Sequence, residues 1–260
     1  MTVPGVSGGS MAMILGIYER IISSIGSFRK NIKQNFLFLL VFTIGGLLGV
    51  VTFSKYLIMP LLEKYPMPTS YFFLGAVIGG APMIFKTAGV KKPSYRVFAF
   101  PIMGMIPILL IALIPEGVFN PGNGFSPVSV LFQFIGGLII AIPFVLPGIS
   151  VSQVLYMFGI YETLMTALGR ADFKTLFSFT PLYIGAIIGT LFVAKTMERA
   201  MENHPQATYL VIFGFLLGSV PRLLQFAGIP GGINILVCIL TAVAGFFAIF
   251  YMQKLEEHIS

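Results

Sequence analysis

Two short blocks hold the residues best suited to chemistry. Pro4-Gly5-Val6-Ser7-Gly8-Gly9-Ser10 runs into Gly16-Ile17-Tyr18-Glu19, and Pro147-Gly148-Ile149-Ser150-Val151-Ser152-Gln153 runs into Gly159-Ile160-Tyr161-Glu162. A Pro-Gly break interrupts a helix, and the first amides of the helix that follows have no intrahelical partner. Those N–H groups and the positive end of the helix dipole favour an anion. Ser7, Ser10, Ser150 and Ser152 add hydroxyl donors, and Gln153 closes the second block. Gly8 and Gly9 let backbone approach a ligand closely, as in phosphate-cradling loops. The chemistry on offer is recognition of an anionic group. The competing reading is packing, because small residues also let membrane helices approach one another. Two matching copies favour a site.

Glu19 and Glu162 occupy equivalent places beyond the breaks. On a straight helix rising ~1.5 Å per residue they lie roughly 18 Å from the tip, near the membrane surface. Ionisable groups at such depth are candidate proton or sodium carriers or gate partners. The alternative is an interfacial carboxylate, paired in the first copy with Arg20, with Tyr18 and Tyr161 as interfacial aromatics. Arg222, after Pro221, offers a guanidinium that can grip phosphate in bidentate fashion; snorkelling to the interface is the competing reading. The charged stretch from Glu198 to His204 reads as a solvated loop.

Catalytic signatures are missing from the sequence. There is no phosphate-binding loop ending in Lys-Ser/Thr, no GxSxG elbow and no HExxH pair. Cys238 is the one cysteine and lies in an apolar run, and the two histidines, His204 and His258, lie in polar flanks. Neither a disulfide framework nor a metal site is expected. The expectation is a non-enzyme without cofactor.

These blocks must be carried in a membrane. The 260 residues are 57% hydrophobic and 10% charged, with a mean hydropathy of +0.94, whereas soluble domains carry about 25% charged residues. The net charge of +7 is scattered between apolar spans and forms no basic patch, so nucleic acid is not an expected partner. It can attract an anionic substrate or anionic lipid headgroups. Met1 leads straight into Pro-Gly, without the basic and apolar regions of a cleavable signal peptide.

Crossing a bilayer takes about 17–25 apolar residues. Such spans are expected at about 35–53, 70–86, 97–115, 178–196, 207–225 and 231–252. Residues 127–145 and 151–168 read as two apolar helices split at Leu146-Pro147-Gly148, a re-entrant hairpin whose break is buried in protein or lines a wet cavity; a kinked span is the alternative. Residues 8–25 read as the second half of the same arrangement, although only three residues precede Pro4. The likeness extends along the chain: Gly45 and Gly49 match Gly185 and Gly189, Lys55 matches Lys195, and Gly75, Gly79 and Pro82 match Gly214, Gly218 and Pro221. The expected fold is therefore an all-α polytopic membrane protein built from two units, 1–120 and 121–260. Each unit is a re-entrant helical hairpin plus three transmembrane helices.

An odd number of crossings per unit inserts the second copy upside down, an inverted-topology repeat. One side then collects Arg20, Arg29, Lys30, Lys33, Lys86, Lys91, Lys92, Arg96, Lys195, Arg199 and Lys254, and the other Lys55, Lys64, Arg170, Lys174 and Arg222. The richer side is expected to be cytoplasmic, with both termini there.

The paired blocks, VPGVSGGSMAMILGIYERI and LPGISVSQVLYMFGIYETL, closely resemble the PopT family of bacterial and archaeal polyprenyl-phosphate transporters, and the resemblance covers essentially the whole chain. It implies translocation of undecaprenyl phosphate across the bacterial cytoplasmic membrane for reuse in cell-envelope synthesis. Family members usually carry an apolar segment before the first block, and here Val151 and Ser152 stand where the first block has Gly8 and Gly9. The resemblance and the residues converge on a phosphate headgroup at the hairpin tips, a tail in a lateral groove, and alternating access. The other two readings are a transporter of a small soluble anion and a non-transporting assembly factor.

Overall fold

The computed structural model describes residues 7–90, 94–115 and 126–259. The Pro4-Gly5 break, Lys91, Lys92 and most of the expected joint between the units lie outside the described residues. Within them the chain is helical, with no strand. Two short helices come first, α1 (Gly8–Ile14) and α2 (Tyr18–Gly26). The long α3 (Ile32–Gly49) passes through a π-helical stretch, Val50–Ile58, into α4 (Met59–Lys64). Then follow α5 (Pro66–Thr87), α6 (Tyr95–Ala112) and α7 (Pro127–Val145). The short helices α8 (Val151–Met157), α9 (Tyr161–Gly169) and α10 (Phe173–Ser178) lead to α11 (Thr180–Asn203), α12 (Pro205–Ala227) and α13 (Asn234–Ile259).

Seven of these helices are long and apolar enough to cross a bilayer: α3, α5, α6, α7, α11, α12 and α13. The chain is a multi-pass membrane protein. Six match the spans expected from hydropathy. The seventh, α7, coincides with the entering half expected for the re-entrant hairpin; its 19 residues rise roughly 28 Å at ~1.5 Å per residue, so by length it is also a candidate span.

The runs after each Pro-Gly block differ from the single helices expected. Both break two residues before the Tyr-Glu pair, at Gly16 (φ 73°) and Gly159 (φ 64°), where a residue with a Cβ is strained. The bonds around both glycines repeat. Gly16 N–H donates to the Met13 carbonyl and Ile17 N–H to that of Ala12, at 3.2 and 3.0 Å. Gly159 N–H donates to Tyr156 and Ile160 N–H to Leu155, at 2.9 and 3.1 Å. This pair of bonds is the Schellman way of closing a helix end. The identical Gly-Ile-Tyr-Glu sequence dictates it twice, and Glu19 and Glu162 therefore do not lie along straight helices from the tips.

Close backbone approach organises the long helices. A Cβ on Gly75 (α5) would overlap the Ala242 carbonyl of α13, and one on Gly245 would overlap that of Phe72. In the matching pair, a Cβ on Gly214 (α12) would overlap the Pro101 carbonyl of α6, and one on Gly104 that of Val211. α5 and α12 are the helices whose Gly and Pro positions match in sequence, so each meets its partner in the same way. α7 and α11 meet likewise, Gly137 against the Leu182 carbonyl and Gly185 against that of Phe134. Such small-residue contacts hold membrane helices together where lipid removes the hydrophobic drive. α3 is the exception: only 6% of its span is buried, and Gly45, Gly46 and Gly49 have nothing within 4 Å.

Candidate functional site

The two Pro-Gly blocks, far apart in sequence, touch. Ser7 caps α1, its Oγ accepting the Ser10 N–H at 3.0 Å, as N-cap serines do. Ser7 Oγ and Ser10 Oγ lie 2.7 Å apart. The backbone N–H of Gly148, at the tip of the second block, donates to both, at 3.1 Å to Ser7 and 3.0 Å to Ser10. Gly9 lies against Pro147, where an added Cβ would stand 3.1 Å from Cα. On its other side Gly148 (φ 91°) abuts the Phe215 carbonyl of α12, leaving no room for a Cβ. Only a glycine fits this crossing.

The contact changes the reading of the four serines. Ser7 and Ser10 are 2% and 1% exposed, and their oxygens join the two tips. Ser150 and Ser152 are half-buried and bond to each other through their hydroxyls at 2.8 Å. Gln153, also half-buried, begins the first turn of α8, its N–H 3.1 Å from the Ser150 carbonyl. Gly8 is exposed beside the contact. The two blocks meet, and their donors are unequal. The first block's hydroxyls are enclosed and those of the second are more open.

Tyr18 is not an interfacial aromatic. It is 2% exposed, and its hydroxyl donates to the Val145 carbonyl at 2.9 Å, tying α2 to the last residue of α7. Gln253 of α13, which the sequence reading passed over, is buried and donates from Nε2 to the Ile14 carbonyl at 2.7 Å. It satisfies an end carbonyl of α1, a group helices leave open. An isolated amide near the end of an apolar span is the signal that marked it. The two contacts fix α2 against α7 and α1 against α13.

Glu19 and Arg20 form no ion pair among the described contacts; the Arg20 guanidinium sits 5.2 Å from the centre of the Phe38 ring. Glu19 instead lines two neighbouring cavities. One, of about 190 Å³, reaches inward past Met13, Met83, Ile84 and Tyr209 to Tyr18. The other, of about 550 Å³, is bounded by Arg20, Ser23, Thr87, Glu198, Glu202 and Tyr209. Burial pushes the Glu19 carboxyl above its ordinary range, because a low-dielectric wall disfavours the charged form.

The second copy is arranged differently. Tyr161 stacks on Tyr156, ring centres 4.1 Å apart, and exposed Glu162 lines an open cavity of about 360 Å³ with Arg170 and Asp172. Arg222 is exposed on α12, and no described hydrogen bond ties it to the tips. Its sequence counterpart, Met83, lines the inner cavity beside Glu19. The stretch expected as a solvated loop also differs: α11 continues to Asn203, and Glu198 is 8% exposed.

Helical spans packed through glycine, with the two Pro-Gly blocks joined by a polar contact, define a multi-pass membrane protein. Residues 1–230 match the undecaprenyl phosphate translocase-like family, and the chain belongs to that family. It is similar to a polyprenyl-phosphate transporter of Staphylococcus aureus, 32% identical over 237 residues that cover 88% of this chain and 81% of the relative. A polyprenyl-phosphate transporter of Vibrio cholerae is 27% identical over 235 residues, covering 85% and 72%. No solved structure matches the chain.

Proposed function

We infer that the protein translocates a polyprenyl phosphate, undecaprenyl phosphate in the first instance, across the bacterial cytoplasmic membrane, returning the lipid carrier to cell-envelope synthesis. The observation that carries this is the contact of Gly148 N–H with Ser7 and Ser10. It joins residues of the two Pro-Gly blocks inside a chain related to polyprenyl-phosphate transporters. A phosphate competes for the same groups. Its oxygens take the place of the serine oxygens at the Gly148 amide, and the freed hydroxyls, the first-turn amides of Gly8 and Gly9, and Ser150, Ser152 and Gln153 turn to the phosphate. Anion binding therefore opens the tip contact.

The rest of the substrate is apolar. A groove of about 390 Å³ between the starts of α7 and α11, lined by Val130, Leu131, Phe134 and Ile184 among others, suits an isoprenoid tail lying in the bilayer. That groove favours a lipid over a small soluble anion. The two units act as inverted repeats that exchange openings, with both termini cytoplasmic. Tyr18 and the Tyr156–Tyr161 stack are the gates, Glu19 and Glu162 carry a coupling proton or sodium ion, and Arg222 meets the phosphate when the second side opens. The exchange of partners between the α5–α13 and α12–α6 glycine contacts supports such an equivalence.

The test is binding and leaflet exchange of undecaprenyl phosphate in liposomes. Exchange by the protein, lost when Ser7→Ala and Ser150→Ala are combined without loss of folding, is the expected result. Absence of both binding and exchange in the intact protein defeats the proposal.

A further inference from the structure

The cavity beside Glu19 holds a carboxylate with no ionic partner among the described residues. Glu198, in the last turns of α11, is 8% exposed and receives one described hydrogen bond, from the Ser27 hydroxyl to Oε2 at 2.8 Å. Its carboxylate presses on the C-terminal end of α2: a Cβ on Gly26 would stand 2.7 Å from Oε2. The C-terminus of a helix carries the negative end of its dipole, and Glu198 lies near two such ends, that of α2 and that of its own helix. Lys195 and Arg199, one turn away and adjacent, are exposed, and no described ion pair joins either to Glu198. Arg20, the one guanidinium in the cavity wall, faces Phe38. A buried carboxylate without a counter-charge is expensive.

A second group points into the same space. Tyr209, at the start of α12, is 3% exposed and lines both cavities, yet its hydroxyl makes no hydrogen bond to a described residue. With Glu19, Glu202, Ser23 and Thr87 also in the wall, the side-chain groups there able to ligate a hard cation are oxygens, and among the described lining residues there is no imidazole or thiolate. Oxygen donors select a hard cation. Among the described residues no three His, Cys, Asp or Glu side chains converge as ligands for a metal ion, which rules against a caged divalent ion, and a cavity of about 550 Å³ leaves room for water.

We propose that this cavity binds a partly hydrated alkali cation, with the Glu198 carboxylate and the Tyr209 hydroxyl as its protein oxygens. The cation supplies the charge that Glu198 lacks, satisfies Tyr209, and ties α2 to α11 and α12 beside the route to Tyr18. Binding itself does not depend on what is transported; only its use as a coupling ion rests on the transport reading.

Sodium is the probe. Thermal unfolding of the purified full chain in detergent is compared in sodium chloride and in N-methyl-D-glucamine chloride at equal ionic strength and pH. A ligand that binds the folded state alone raises Tm, and the expected rise is about 2–4 °C. Glu198→Gln keeps an acceptor for Ser27 and removes the charge, so it abolishes the sodium response. Tyr209→Phe, which removes one oxygen, weakens it and decides the matter if Glu198→Gln does not fold. Equal Tm in the two salts for the intact protein overturns the site, as does a full sodium response in Tyr209→Phe and Glu198→Gln alike. Undecaprenyl phosphate binding is measured on the same samples. Loss of lipid binding with the sodium response intact defeats the transport reading and leaves the cation site standing; lipid binding with no sodium response does the reverse.

Discussion

At the scale of single residues, the tip contact works through very few atoms. Tyr18→Phe removes only the hydroxyl that reaches Val145; a hydrogen bond is worth about 0.5–1.5 kcal/mol net, and leaving a buried carbonyl unpaired lies at the upper end. The variant is expected to unfold earlier by that amount and to label more readily at a cysteine placed near the tips. Gly148→Ala forces a Cβ onto the Phe215 carbonyl and strains the backbone, so it should cost more than Tyr18→Phe in the same unfolding assay. Glu19 sets a pH dependence. Its pKa is raised above the ordinary 4.5 by burial, so the folded state favours the protonated form. Its contribution is fully present below the ordinary carboxylate range and is lost as pH rises through the raised value. Glu19→Gln should therefore gain on the intact protein, in unfolding midpoint, as pH increases across that window; parallel curves refute the assignment.

At the scale of helices, glycine marks where backbones touch and where they do not. Gly185 and Gly49 belong to matching stretches of sequence, yet Gly185 meets the Phe134 carbonyl of α7 while Gly49 has nothing within 4 Å. Gly185→Leu must push α11 away from α7, and overpacking of that kind costs about 1–3 kcal/mol or more. Gly49→Leu should change stability by less than about 0.5 kcal/mol, as surface substitutions do. Paired unfolding measurements in detergent check the contrast. The open face of α3 lies where α11, its counterpart, is covered by α7. This is why α3 is the least buried of the seven spans.

At the scale of the whole molecule, the cavity lining brings residue 19, the end of α5, the end of α11 and the start of α12 to one end of the bundle, and Lys86, Lys195 and Arg199, expected on the cytoplasmic side, belong to those ends of α5 and α11. Glu162, Arg170 and Asp172 line a cavity just ahead of the start of α11 in the chain, the helix whose other end carries Glu198. Single cysteines replacing Lys30 and Lys86, in a background of Cys238→Ala, should react with an impermeant thiol reagent from the same face, and cysteines replacing Lys64 and Lys174 from the other. Reaction of positions 30 and 86 from opposite faces overturns the topology.

The sequence by itself determined the class of protein. The six apolar runs of bilayer length expected as spans appear as α3, α5, α6, α11, α12 and α13. The doubled Gly-Ile-Tyr-Glu segment closes two helices with the same bonds, since a Schellman end is a local matter of one glycine and its neighbours. The blocks that hold Ser7, Ser10 and Gly148 were legible as a candidate site from their composition alone. Only the tertiary structure decided how those groups are used. Whether a serine faces a ligand or a neighbouring tip depends on what the other hairpin brings to it, and here it brings the Gly148 amide. The same holds for Glu198, which reads as solvated in a charged stretch and is buried because α2 packs on the end of α11. Hydropathy reports the cost of placing a residue in lipid, and that cost is local. Burial of a polar group against another helix is not local, so the chain carries no mark of it until it folds.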